Sequence, residues 1–342
     1  MTTSQTAHGG VSPMVSRLRA SGPSELLQAV PYLIGFHPER SVVLLGLLPP
    51  RGQLAVSARL DLDAPVAMAT PWFEAAAREG VDRFVLAIYD DTIERKPLPH
   101  TDLVEALQAM GGAAGMRFVD ALAVNATRWW SYRCTDDACC ADAGEPLTET
   151  GAVAATAVSL GLVAQRSRAS LVAELAPDTR RALAVSQVWD SMTDQQVQSA
   201  SCLGASKSRR KLVTAIKQLD WLLARYCKTQ QPCDERQAAN ALLGLTNVTV
   251  RDAMISAVPL EDDALPMMFW SDLCRAAPDP LAAPPATMYA LCAYARGEGA
   301  RANIGLERAL TASPDYRMAV LLDTAIASGM PPQWLIPDLV SS

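Results

Sequence analysis

The stretch Pro31 to Leu48, PYLIGFHPERSVVLLGLL, constrains the fold more than any other part of the chain. It runs the end of an apolar helix through a Gly-Phe-His-Pro turn straight into a β-branched apolar segment of strand length. Glu25 to Leu33 predicts about two helical turns, with Ser24 as N-cap and Leu26, Leu27, Val30, Leu33 and Ile34 on or near one face. Pro31 removes a backbone donor and crowds the preceding turn, which predicts a kink or break before Tyr32. Gly35 suits a left-handed helix cap, Pro38 prevents the helix from resuming, and Ser41 to Leu48 reads as a buried strand. A histidine held on such a turn, His37, has two readings: a base or ligand beside the sheet edge, or a hydrogen-bonded structural residue of the turn.

A chain of 342 residues exceeds the size at which single cores usually stop growing, so two domains are expected. Half the residues are hydrophobic and 19% are charged, the balance of a globular protein and not of a disordered one. A net charge of −6 argues against a whole-protein grip on nucleic acid, leaving only a local basic face. Residues 1 to 12, MTTSQTAHGGVS, lack the basic and apolar regions of a signal peptide, and the longest apolar run, Ala152 to Ala164, is too short to span a bilayer. A cytoplasmic, non-membrane protein is the expectation. Eight cysteines at this length are too few for a disulfide scaffold and fit mostly buried thiols.

Taken in order, Pro49-Pro50-Arg51-Gly52 supplies turn chemistry, and Gln53 to Asp61 alternates as a second strand, giving an antiparallel hairpin. Val66 to Glu79 predicts a helix closed by Gly80, Phe84 to Tyr89 a covered strand, Thr101 to Met110 a helix, and Phe118 to Val124 another strand. Trp129 to Tyr132 continues that strand or returns beside it. Residues 22 to 148 therefore read as an α/β domain, a mixed sheet layer with covering helices, behind a flexible tail of residues 1 to 21.

From 149 to 336 the pattern is all-helical, Val248 to Val250 being the one further strand candidate, with a short tail at 337 to 342. The whole is an α+β or α/β chain followed by helices. Lys207 to Cys227 is amphipathic, with Leu212, Ile216, Leu219, Leu223 and Tyr226 forming its stripe. Lys207, Arg209, Arg210 and Lys211 open that helix against its macrodipole, which makes them either an anion-binding group or solvated surface. From Pro285, two helices separated by Gly297-Glu298, with Ala302, Leu306, Ala309 and Pro314, resemble a tetratricopeptide hairpin. Ala286 stands where that repeat carries a large aromatic. A helical hairpin of this kind makes the helical domain the candidate surface for a protein partner.

Two groups of residues carry candidate chemistry. Cys134, Cys139 and Cys140 follow Trp129-Trp130 on a loop; they read as metal ligands completed by His100 or His37, as a reversible disulfide, or as buried thiols of an anchored loop. Their spacing departs from the two-residue gaps of structural zinc sites. Asp61 with Asp63, and Asp90 with Asp91, end successive long strands, where Asp61 and Asp90 could share a divalent cation or simply cap turns. No Walker loop, G-x-S-x-G or H-E-x-x-H is present. Gly111, Gly112 and Gly115 follow a helix instead of opening one, so they fit a turn and not a dinucleotide fingerprint.

Taken together, PYLIGFHPERSVVLLGL, RLDLD, RWWSYRC followed by CC, and GEGARANIGLERALTASPDY resemble the actinobacterial domain-of-unknown-function family numbered 4192, over about residues 22 to 335. Ala141 stands where this family is expected to place a proline after the cysteine pair. The resemblance implies no catalytic residue, cofactor or partner. The residues themselves point to a binding or regulatory module without the standard catalytic motifs. The alternative is a metal-dependent or redox enzyme working through His37, the strand-end carboxylates and the cysteine cluster.

Overall fold

A computed structural model of the protein describes residues 9–10, 22–50, 53–136, 140–148, 151–159, 162–199, 205–256, 258 and 264–330. The chain divides into two compact units. The first holds the described residues up to Leu171 together with 297–300 and 325–330, and the second holds Val172–Arg296 and Arg301–Thr324.

The first unit is built on a mixed sheet of β1 (Gly9–Gly10), β2 (Ser41–Leu48), β3 (Gln53–Asp61), β4 (Arg83–Tyr89), β5 (Arg117–Val124), β6 (Arg128–Ser131) and β7 (Glu145–Pro146). Their order across the sheet is β1-β3-β2-β4-β5-β6-β7. Strands β2 and β3 form the expected hairpin, β4 lies antiparallel on the other side of β2, and β6 returns antiparallel beside β5. The parallel pair is β4 and β5, whose chain crosses over through helix α3 (Thr101–Ala113). Val42, Leu44, Phe84 and Leu86 meet Trp72 and Phe73 from helix α2 (Thr70–Arg78), and Val104 and Leu107 from α3, in one core. Each such aliphatic side chain contributes about 1.5–3 kcal/mol by leaving water. Alternate residues Val43, Leu45, Val85 and Ala87 are buried as well, so the central strands are covered on both faces.

Local details depart from the sequence reading in instructive ways. Helix α1 runs from Pro23 to Ile34 without a break at Pro31. Proline costs a helix one hydrogen bond, and the burial of Leu27, Ala29, Val30, Pro31 and Ile34 offsets that loss. The N-cap is Gly22 and not Ser24, with Pro23 at the first helical position where its missing donor costs nothing. Gly35 does adopt the left-handed cap, at φ 81°. The helix read from Val66 begins as a 3-10 turn, Val66–Ala69, before α2 proper.

The sheet unit also continues past residue 148. Helix α4 (Ala152–Ser159) lays Val153 and Ala157 on Ala29 of α1, with Tyr32 and Leu33 beside them. The turn after α1 is then clamped by main chain: Gln165 donates to Gly35 O at 2.8 Å, and His37 N donates to Gln165 O at 2.9 Å. Helix α5 (Arg168–Ala173) follows. Among the described residues no helix is long and apolar enough to cross a membrane.

The second unit is helical: α6 (Thr179–Ser199), α7 (Ala205–Thr229), α8 (Glu235–Leu245), α9 (Val248–Ser256), α10 (Leu265–Ala276), α11 (Ala283–Ala295), α12 (Gly299–Ala312) and α13 (Arg317–Ala327). Helix α7 buries Leu219, Leu222 and Tyr226, so the stripe passes through Leu222 in preference to the neighbouring Leu223. Tyr226, Phe269 and Trp270 stack edge to face. Asp234 and Gln237 form a reciprocal capping box at the start of α8. The strand candidate Val248 to Val250 is the first turn of α9, because Asn247 Oδ1 accepts from Thr249 N at 3.0 Å and caps a helix there. Helix α11 is buried from Ala283 to Tyr294, and α12 approaches it at Gly305, where a Cβ would lie 2.9 Å from both Ala290 Cβ and Tyr289 Cδ1. Arg181 grips Asp272 through both guanidinium nitrogens, at 2.7 and 3.2 Å, and Arg301 pairs with Glu174.

Candidate functional site

Because β2 runs antiparallel to β4, its first residue, Ser41, pairs with the last residue of β4, Tyr89. The His37-Pro38-Glu39-Arg40 segment that feeds β2 is thereby brought beside the carboxyl ends of the parallel strands β4 and β5. Ligand sites of α/β sheets form at such ends. Here they border a cavity of about 440 Å³, within the range of small-molecule sites. Leu27, Pro31 and Tyr32 of α1 and Leu147 give it an apolar wall; Gln28, His37, Arg40, Asp90, Asp91 and Asn125 supply the polar groups.

Asp90 is the most constrained of these. Its main chain donates to Val124 O at 2.9 Å, tying the exits of the two parallel strands together. Its carboxylate is 5% exposed and fully directed: Oδ1 accepts from Thr92 N at 3.0 Å and from Thr92 Oγ1 at 2.8 Å, while His100 Nε2 lies 2.7 Å from Oδ2. Burial alone would push this carboxyl upward; the hydrogen bonds from His100 and Thr92, and the charge of the imidazole, outweigh that and hold it below the ordinary carboxylate range. His100 reaches Asp90 from the left-handed position that starts α3, φ 62°. Arg40, at φ 40°, is the other non-glycine residue of this unit held in the left-handed region among those described. Burial pushes the phenol of Tyr89 upward, so it stays neutral as a donor.

His37 and Asp90, taken from different parts of the sequence, therefore line one cavity. Asp61 does not join them. It flanks Ser41 on the opposite side from Tyr89, two strand spacings or roughly 10 Å away along the sheet, and pairs with Arg59 at 2.5 Å. Among the described residues no three His, Cys, Asp or Glu side chains are grouped to hold a metal ion.

Cys134 and Cys140 belong to a loop held largely by main-chain acceptors; Cys139 lies outside the described residues. Lys96 Nζ donates to the carbonyls of Cys134 and Cys140 at 3.0 and 3.2 Å, and Trp130 Nε1 donates to Asp142 O at 3.0 Å. Trp130 is completely buried, and Gly144 must be glycine because a Cβ there would sit 2.3 Å from the indole. On α7, Arg210 and Lys211 are exposed, while the side chains of Lys207 and Arg209 lie outside the described residues.

Two participants escaped the sequence reading. Gln28 is the single amide side chain within LLQAVPYLI, a signal in hindsight, and it is 8% exposed, with Oε1 enclosed and without a hydrogen-bond partner among the described residues. His100, considered only as a distant metal ligand, instead orients Asp90.

The fold and the cavity together define an α+β protein with a ligand-sized concavity at the carboxyl ends of its parallel strands. Residues 23–333 match the family model described as domain of unknown function (DUF4192), and the chain belongs to that family. No curated protein and no solved structure matches it.

Proposed function

We propose that this protein is a binding module whose first unit captures a small organic molecule in the cavity at the ends of β4 and β5. The observation that carries the reading is convergence: one 440 Å³ cavity gathers an apolar wall and polar groups from α1, the His37 turn and both parallel strands. The state of Asp90 favours binding over proton transfer. A carboxylate hydrogen-bonded on both oxygens and held below its ordinary range is a weak base and a firm acceptor.

Thermal-shift measurement against a chemically mixed panel of metabolite-sized compounds tests this reading, comparing the natural chain with Ala126→Trp. Ala126 is an exposed wall residue, so the indole occupies the cavity without disturbing the core. At least one compound should raise the melting temperature of the natural chain by mass action, and the variant should lose that shift. A panel without hits, or hits that Ala126→Trp leaves intact, removes the proposal.

A further inference from the structure

We infer that Cys134 and Cys140 are a redox pair: a hydroperoxide oxidises Cys134, and Cys140 closes a reversible disulfide onto it. Neither residue lines the cavity; both belong to the loop that follows β6.

The first observation is how the two residues are held. Lys96 Nζ donates to Cys134 O at 3.0 Å and to Cys140 O at 3.2 Å, so one ammonium gathers both carbonyls. Asp136 O accepts from Cys140 N at 2.7 Å and lies 3.9 Å from Cys134 Sγ, so the sulfur of one residue and the amide of the other meet on a single atom. Cys134 N is fixed in turn by Ser131 Oγ at 3.0 Å. Both main chains are therefore pinned at N–H and at C=O, with Lys96 and Asp136 as common anchors. A disulfide needs Cα atoms about 4.4–6.8 Å apart, and anchors shared in this way hold two residues near such a separation. The second observation is the difference in exposure. Cys134 is half-buried, so a small oxidant reaches it, while Cys140 is 3% exposed. An accessible thiol beside a sheltered one is the arrangement in which a first oxidation is captured as a disulfide before it proceeds further.

Three thiols of the second unit stand in contrast. Cys233, Cys274 and Cys292 are buried, and burial pushes them up to about 11, 12 and 12, which keeps them protonated and poor nucleophiles. At Cys134 the thiolate attacks one oxygen of the peroxide, the O–O bond breaks, and the sulfenic acid forms as the second oxygen leaves with a proton. The Cys140 sulfur then attacks that sulfenic sulfur, the S–S bond forms, and hydroxide departs with the Cys140 proton as water. Two thiols are oxidised and one peroxide is reduced. The bond reinforces a loop that Lys96 already ties to the crossover between β4 and α3.

The test treats the full chain with hydrogen peroxide, blocks the remaining thiols by alkylation and maps the cysteine peptides by mass spectrometry. The natural chain should yield Cys134 joined to Cys140 with the loss of two hydrogens, and a dithiol should restore both thiols. Cys139→Ser should leave that product intact, and Cys140→Ser should leave Cys134 as a sulfenic acid that dimedone traps. In urea, where sequence distance alone decides, Cys134 should divide between Cys139 and Cys140; a single product from the folded chain therefore reports the fold and not the spacing. A bond from Cys134 or Cys140 to Cys139, a disulfide between chains, or oxidation of Cys134 without a bond to Cys140 overturns the inference. Oxidation of Cys274 or Cys292 as fast as that of Cys134 overturns it too. The natural chain decides the matter even if a variant does not fold.

Discussion

The cavity beside Asp90 lies at the ends of interior strands and the cysteine loop beside Trp130 lies toward the β6-β7 side of the same sheet, and residues of both drew attention in the sequence. They use their polar groups in opposite ways. In the cysteine loop the polar side chains of Lys96, Arg128 and Trp130 are spent on main-chain carbonyls, which fixes the path of the loop. At the cavity, the carboxylates of Glu39 and Asp91 are exposed beside open volume, while that of Asp90 is held by Thr92 and His100. Clustering in sequence is thus a poor guide to a site. What separates scaffold from site is whether polar capacity is consumed by the chain's own backbone or remains facing space.

The largest test of this contrast falls on the loop. Trp130→Ala empties a fully enclosed indole site and should cost about 3–5 kcal/mol in chemical denaturation, the range for deleting a large buried aromatic. A loss under 1 kcal/mol would mean that the loop does not depend on its anchor.

Asp90→Asn ranks next and carries a pH signature. Its folded-state pKa is lowered, so the ionised carboxylate contributes stability that is present above the unfolded pKa and lost as pH falls through the folded one. The variant should be less stable by about 1.5–3 kcal/mol at neutral pH, the range for hydrogen bonds to a charged group, and the gap should narrow as the solution is taken below the ordinary carboxylate range. A gap that stays constant down to acid pH would show that the carboxylate's charge is not what matters.

The smallest effect sharpens the comparison most. His37 is exposed at the cavity, so His37→Ala should change stability by no more than about 0.5 kcal/mol. A stability loss comparable to that of Asp90→Asn would make His37 a structural residue of its turn.

Much of the fold was legible because local rules agreed with the global ones. The alternating Gln53 to Asp61, the doubly buried Phe84 to Tyr89 and the left-handed Gly35 each follow from residue type alone. Val248 to Val250 misled because three β-branched residues suggest a strand, while a single Asn247 cap decides for helix. Of the candidate site, His37 and Asp90 were readable as residues but their meeting was not. It depends on β2 pairing with β4 across Ser41 and Tyr89, a non-local register that no spacing in the sequence encodes. Gln28 was invisible for the opposite reason: one glutamine in an apolar helix reads as an exception until the volume beside it is known.

Pro31 gives the cavity a property that side-chain inventories overlook. Since α1 continues through it, the carbonyl of Leu27 loses the amide that residue 31 would otherwise present to it, and both residues stand in the cavity wall. The loss of that one bond is set by backbone geometry, not by rotamer. Substitution can retune the carboxylates around it one at a time, but no hydrogen bond from residue 31 returns to that oxygen for as long as the proline remains.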